Sequence, residues 1–173
     1  TSNNDTKIRE DVLIILIKSH PNLIPKETLI PLCERCSFVT FLTDYYMPQR
    51  SYIKILNSMI LNESYRPFII DFLRDTLSKS RDPELSPHER NEITKSVRAS
   101  ILQHCQSLLL IDEEKFVIFI VDEFHDDVND ILSLLKPPEK LVFLLRLRDT
   151  NNYELTEEQK MLTFELLLRF RPS

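Results

Sequence analysis

A strongly acidic segment between residues 112 and 130 holds the densest group of side chains that could bind a cation or a basic partner. It contains eight carboxylates and only one lysine, Lys115. On a helix, residues three and four apart are neighbours, so Asp122, His125 and Asp126 would share a face that could hold a divalent ion. No outer ligand set can be named, and a solvated helix face is the simplest interpretation. The segment is nevertheless the best local candidate for docking a basic partner segment. The acids predicted to contact this basic partner segment are Asp122, Glu123, Asp126, Asp127 and Asp130.

The apolar run before Asp122 and Glu123 resembles the Walker B strand of NTPases. Residues 116–121 read FVIFIV, and at the end of such a strand the two acids would hold Mg²⁺ and orient water. An NTPase also needs a glycine-containing loop around the phosphates, and the chain has no glycine. The same run fits helical spacing from Val117 to Leu135, so the sequence leaves helix and strand open for residues 116–121. A degenerate NTPase-like domain without a Walker A loop is the alternative function.

Cysteine and histidine offer weaker candidates for chemistry. Cys33 and Cys36 form a CxxC pair, which Cys105 and a histidine could complete as a zinc site. However, His104 and Cys105 would point about 100° apart on a helix, and cysteines one turn apart are usually small apolar residues. His104 shares its helical seam with Leu108, which favours a core histidine over a catalytic base. We therefore predict no catalytic residue, no metal, no cofactor and no enzymatic activity.

The last quarter of the chain is rich in arginine. Arg146 and Arg148 could line a groove that binds phosphate or acidic groups, and we count both among the candidate partner-binding residues. Neighbouring glutamates and aspartates nearly balance these charges, so a mixed, solvated surface is the simpler interpretation.

Composition indicates a globular domain that works inside a cell. The chain has 173 residues, of which 42% are hydrophobic and 28% charged, and these values fit a single domain, 1–173, with a buried core. The start lacks a methionine and a basic signal head, which predicts a fragment of a larger protein.

The net charge of −5 disfavours nucleic acid as a partner. Three cysteines favour a reducing compartment, cytoplasm or nucleus. The aliphatic runs are too short to span a membrane.

The absence of glycine and the presence of ten prolines favour an all-α fold. Tight hairpin turns lean on glycine, whereas helices can be joined by Pro, Asn, Ser and Asp. Between the prolines, apolar residues recur at helical spacing. The pattern predicts eight or nine helices, which lie at about 4–19, 26–36, 37–46, 48–61, 64–80, 86–111, 112–135, 139–148 and 156–170.

Local signals add detail to this prediction. Ser86 with Glu89, and Thr156 with Gln159, have the spacing of capping boxes at helix starts. Residues 12–17 are apolar on every side, which predicts that the first helix is central and covered all round. Tyr45, Tyr46 and Met47 before a proline could be exposed anchors for a partner, although closing the turn is the simpler role for them.

These observations together predict antiparallel helices that stack as an armadillo- or HEAT-like superhelix, with an irregular helical bundle as the alternative. No fixed-period repeat is present to prove the stack. The expected function is non-enzymatic: a scaffold or adaptor domain that presents a helical groove or face to a partner peptide or helix.

Overall fold

The computed structural model describes residues 2–170, with side chains from residue 4 onward, and this part of the chain is helical without any strand. The all-α prediction is therefore confirmed. No helix in it is long and apolar enough to cross a membrane. The ten α-helices are α1 (Ser2–Ser19), α2 (Lys26–Cys36), α3 (Val39–Tyr46), α4 (Tyr52–Leu61), α5 (Ile69–Ser80), α6 (Pro87–Ile111), α7 (Glu113–Glu123), α8 (Val128–Leu134), α9 (Pro137–Asp149) and α10 (Glu157–Arg169).

Side-chain caps define several helix starts. The Ser86 and Glu89 side chains form a complete capping box at α6, and Thr156 and Gln159 form another at α10. Asp112 accepts a hydrogen bond from the Lys115 N–H and begins α7. These contacts satisfy N–H groups that have no partner inside the helix.

Two turns use a left-handed backbone without glycine. Ser37 ends α2 with φ of 52°, and its N–H donates to the carbonyl of Glu34. Arg50 has φ of 55° in the turn before α4. A left-handed residue is a common helix terminator, and glycine is its usual occupant. Since this chain contains none, both turns carry a modest backbone cost that the surrounding structure must offset.

The long helix α6 lies at the centre of the fold. It contacts α4 and α5 from the preceding chain and α7, α8 and α9 from the following chain. Val97, Ile101 and Leu108 are almost completely buried on its seam. On either side of α6 each helix packs on the next helix in sequence or on the next but one, with α1 and α2 against α3, and α9 against α7 and α10.

The predicted helix at 112–135 is two helices, which raises the count from nine to ten among the described residues. Phe124 leaves the helical conformation at φ −135° and ψ 43°, and a single 3₁₀ turn, His125–Asp127, leads into α8. The Phe124 ring packs at the edge of Phe119, 5.8 Å between centroids. Phe124 is buried like the rest of the predicted seam, so burial alone does not reveal the break.

Two other helices begin later than expected. The turn at 47–51 precedes α4, which starts at Tyr52 rather than at Pro48. A 3₁₀ turn, Arg66–Phe68, precedes α5, which starts at Ile69 rather than at Ser64, and Phe68 in this turn is exposed.

The prediction that the first helix is central is wrong. α1 packs mainly on α3, at the edge of the fold, and buries little beyond Glu10, with Leu13 and Ile17 half-buried against the core. Ile8, Val12 and Ile15 lie on the opposite side and are exposed. An apolar helix can be covered all round only if neighbours exist on every side, and here a single helix provides most of the contact.

Glu10 connects α1 to α3 by capping the start of α3. Its carboxylate accepts hydrogen bonds from the backbone N–H of Phe41, at 2.8 Å, and from that of Thr40. These N–H groups belong to the first turn of α3 and have no acceptor within that helix. Burial raises the pKa of Glu10 above its ordinary value of 4.5, and the two backbone hydrogen bonds oppose that rise.

We predict that Glu10→Ala loosens α1, because it leaves two helix-start N–H groups without their acceptor. The expected loss is about 1–3 kcal/mol for a hydrogen-bonded charged group, visible as faster amide exchange along α1. Asp11→Ala, on the exposed side of α1, is the matched control and should change exchange little.

The raised pKa also fixes the sign of a pH effect. The folded protein binds the Glu10 proton more tightly than the unfolded chain, so this group's contribution to stability falls as pH rises from about 4.5 through the folded pKa. Glu10→Gln should remove that component, so the stability of wild type relative to this variant declines from pH 4 to pH 7. A relative stability that rises over this interval contradicts the assignment.

Candidate protein-binding site

The predicted acidic residues at the end of α7 are paired with one arginine of α5 and with the arginine that directly follows this helix. Arg74 donates to Asp122 at 3.2 Å, and Arg81 contacts Glu123. The Arg74 guanidinium also lies 5.3 Å from the centre of the Phe119 ring. Asp122 and Glu123 therefore help to attach α7 to α5.

The acids around the break between α7 and α8 are paired with α6. Arg98 donates to Asp127 at 2.7 Å and to Asp130 at 3.0 Å. These carboxylates raise the pKa of Arg98, chiefly through the hydrogen bond to Asp127. Asp126 differs from them, since its side chain is fully exposed and its neighbour is His125, at 3.9 Å. Most of the predicted acidic face is thus neutralised within the domain.

A groove between α7 and α9 brings together two of the predicted residues, Asp122 and Arg146. Its volume is about 330 Å³, and the Thr150–Asn152 segment that follows α9 forms part of its wall. We call this the α7–α9 groove. It is lined by Glu114, Val117, Ile118, Val121, Asp122, Arg146, Asp149, Thr150, Asn151 and Asn152.

The contribution of α7 to the groove is a single helical stripe. Residues 114, 117, 118, 121 and 122 recur at intervals of three and four, which places them on one face. Val117 and Val121 are buried in its floor, whereas Ile118 is 39% exposed. Behind the floor, Phe116 packs on Phe143 of α9, with ring centroids 6.1 Å apart. The floor is therefore apolar and supported by the core.

The rim of the groove is mainly acidic. Three carboxylates, Glu114, Asp122 and Asp149, face one guanidinium, that of Arg146. Arg146 is itself paired with Glu113 at 3.3 Å, and Asp149 with Arg148 at 3.2 Å. Glu114 has no ion pair among the described residues. The groove can therefore accept a cationic group beside an apolar one.

The other predicted residues lie elsewhere. Asp126, Asp127, Asp130 and Arg148 do not line the groove, and Glu123 lines a separate depression of about 280 Å³ between α5 and α6. Ile118 and Asp149 were missed by sequence reasoning. The signal for Ile118 was the spacing of residues 114–122, which becomes informative only when that segment is known to be a helix.

The strand expected of a Walker B segment is not formed, since residues 116–121 lie within α7. The two acids that follow them are paired with Arg74 of α5 and with Arg81 directly after it, and not with a phosphate loop. The NTPase alternative therefore lacks the element on which it depended.

The surroundings of the cysteines and of His104 are those of residues that pack in or beside the core. Cys33 and Cys105 are buried and Cys36 is exposed, and all three are free. Burial raises the pKa of the Cys33 thiol to about 11, which keeps it protonated at neutral pH. Between residues 2 and 170, no three His, Cys, Asp or Glu side chains lie close enough together to hold a metal ion. The Nε2 atom of His104 lies 3.2 Å from the carbonyl oxygen of Ile53. Burial lowers the pKa of the His104 side chain.

The aromatic residues before Pro48 are not exposed anchors. Tyr46 is buried and its hydroxyl donates to Glu34, while Tyr45 and Met47 are half-buried against the core. Burial and this hydrogen bond raise the pKa of Tyr46. These residues close the turn between α3 and α4, which was the simpler of the two interpretations.

No protein-family model, curated protein or solved structure matches the chain.

We predict that Arg98→Met lowers the free energy of unfolding by about 1 kcal/mol, because it removes the partner of a carboxylate with little access to water. The Asp127 side chain is only 16% exposed. Methionine keeps most of the apolar stem of Arg98, so the loss reports on the ion pairs.

The matched control is Lys79→Met, which breaks an ion pair with Asp75 whose two side chains are both mostly exposed. Such a pair contributes roughly 0–0.5 kcal/mol. Urea denaturation of the three proteins checks the difference, and equal losses in both variants would argue against a structural role for the Arg98 pairs.

Proposed function

We propose that the chain is a non-enzymatic protein-interaction domain, whose α7–α9 groove binds a basic peptide or helix from a partner. The observation that carries this proposal is the apolar stripe of α7, exposed at Ile118 between acidic rims, at the mouth of a groove of about 330 Å³. Such a surface fits a segment that combines a large apolar side chain with lysine or arginine.

The proposal places the partner beside the acidic segment rather than across all of it. Arg74 and Arg98 already occupy Asp122, Asp127 and Asp130, so a basic partner would have to displace these arginines. Glu114 has no such competitor in the described chain. Asp149 is paired with Arg148, but its side chain remains 61% exposed. Glu114 and Asp149 at the rim, with the exposed Ile118 between them and the floor, are the residues we expect to contribute most.

We further propose that the helices form an armadillo- or HEAT-like stack. The support is the packing order, in which α1 and α2 contact α3, α10 contacts α9, and α6 contacts helices before and after it. The three free cysteines support a reducing location, cytoplasm or nucleus.

Small-angle scattering at low concentration tests the stack. A compact domain of this length should have a radius of gyration of about 16 Å, and a stacked superhelix should exceed that value clearly. A compact value would contradict the stack and leave the irregular helical bundle.

Selection from a displayed library of random peptides tests the groove. Peptides that bind should be enriched in lysine or arginine next to large apolar residues, and their affinity should fall as salt rises. Ile118→Lys and Asp149→Lys should each weaken binding roughly 10-fold or more, the effect of removing an interface residue that contributes more than about 1.4 kcal/mol. Both side chains are exposed, so the fold should survive the substitutions.

Asp126→Lys is the control, because Asp126 is fully exposed yet lies outside the groove. Its affinity for the selected peptides should match wild type. Loss of binding in Asp126→Lys with retention in Ile118→Lys would move the site to the acidic segment and overturn the groove proposal.

A further inference from the structure

The connection between α9 and α10 contains a stretch of extended chain, residues 153–156. These residues belong to no helix or turn, and Thr156 at the end has φ of −68° and ψ of 162°. Exposure alternates along them, since Tyr153 and Leu155 are half-buried against the core whereas Glu154 and Thr156 are exposed. Alternation with a period of two is the pattern of a β-strand that has one side on the core. We call residues 153–156 the extended segment.

The buried side chain of Gln159 holds the extended segment in place. Its Oε1 atom accepts hydrogen bonds from the Tyr153 hydroxyl at 2.9 Å and from the Thr156 N–H at 3.0 Å. Its Nε2 atom donates to Asn129 of α8 at 2.9 Å. The Tyr153 ring also packs against the His125 ring, with centroids 5.1 Å apart. The segment is therefore ordered before any partner binds, which lowers the entropic cost of binding along it.

The backbone in the middle of the extended segment has polar groups without partners. In the described part of the chain, neither the N–H nor the carbonyl of Glu154 or Leu155 makes a hydrogen bond. In an extended chain the N–H and carbonyl of one residue point to the same side, so an antiparallel strand there could exchange two hydrogen bonds with Glu154. The middle of a helix cannot use these groups, because its own backbone is already paired. The segment thus presents an unpaired strand edge.

The extended segment continues the wall of the α7–α9 groove. Residues 150–152 line the groove, and the extended segment follows directly along the chain. The neighbouring cations are each paired with an acid of the domain: Arg74, Arg146, Arg148 and Lys160. Glu114 of the rim and Glu154 of the edge have no ion pair among the residues that the structure describes. The unpaired charge along the groove and the edge is therefore negative.

We propose that the partner binds as an extended basic peptide, which pairs with the main chain at Glu154 and places alternate side chains in the α7–α9 groove. This inference rests on the proposed function, since it names the conformation of the segment that the groove binds. Side chains of an extended peptide point alternately toward and away from the domain, so every second residue faces the groove. A large apolar side chain there covers Ile118, and a lysine or arginine meets Glu114 or Glu154.

Peptides selected from the displayed random library are the probe, and their sequences give the first readout. Strand pairing predicts that basic and large apolar residues recur at every second position, whereas a helical peptide would show them three and four positions apart. Methylation of one peptide N–H at a time gives the second readout. Only alternate positions should lose affinity, because the N–H groups on the far edge of the peptide point away from the domain.

Glu154→Pro compared with Glu154→Ala tests the domain side of the pairing. Both variants remove the carboxylate, but only proline also removes the backbone N–H. That N–H has no partner in the described chain, and proline suits an extended backbone, so the fold should survive. The proline variant should bind the selected peptides about 2- to 10-fold more weakly than the alanine variant, which corresponds to the loss of one hydrogen bond. Circular dichroism should show equal helix content in both variants.

Equal affinity of two folded variants overturns the inference, and so does helical spacing in the selected peptides. If Ile118→Lys still weakens binding in that case, the groove binds a helix and the proposed function stands. A library that yields no binder overturns the proposed function together with this inference. If the proline variant loses helix content, the methylation series decides: losses at alternate positions support strand pairing, and uniform tolerance overturns it.

Discussion

The burial of α6 is the contact on which the rest of the fold depends. At 25 residues α6 is about 37 Å long, and it contacts five other helices along that length. Val97, Ile101 and Leu108 supply its seam, while Ser100 and Cys105 are buried beside them. Because Ser100 bonds back to the carbonyl of Val97, this side of the helix buries a hydroxyl without leaving it unsatisfied. Small residues there leave room for neighbouring helices to approach α6 closely.

The role of the acidic segment depends on its position relative to α5 and α6. In sequence, it is a run of carboxylates with almost no compensating lysine. In the fold, the acids are paired with Arg74 of α5, with Arg81 directly after α5 and with Arg98 of α6, all more than 25 residues away along the chain. The interactions are partly exposed, so each contributes modestly to stability. Their main consequence is that Glu114 is the one acid on the rim of the α7–α9 groove without an ion pair in the described chain, and it lies next to the exposed Ile118.

The sequence predicted the helices well because caps, prolines and seams are local signals. The start of α6 at Ser86 and that of α10 at Thr156 were both visible as capping boxes. The break at Phe124 was not, since no proline or glycine marks it and the buried residues keep their spacing across it. The ion pairs between distant residues could not be predicted from the sequence for another reason. The partners of Asp122 and Asp127 depend on how the helices pack, and the periodicity of apolar residues contains no information about helix packing.

The error over α1 shows what an apolar pattern can and cannot determine. The apolar pattern of residues 12–17 indicates that burial of every side of the helix would be favourable. Whether each side is buried depends on contacts with other helices. α1 has α3 on one side, held in part by the hydrogen bonds to Glu10, and solvent on the other. The same reasoning applies to α10, whose sequence signals are those of an ordinary amphipathic helix until its exposed side proves to be apolar as well. A helix that is apolar around most of its circumference but placed at the edge of a fold has unsatisfied hydrophobic surface.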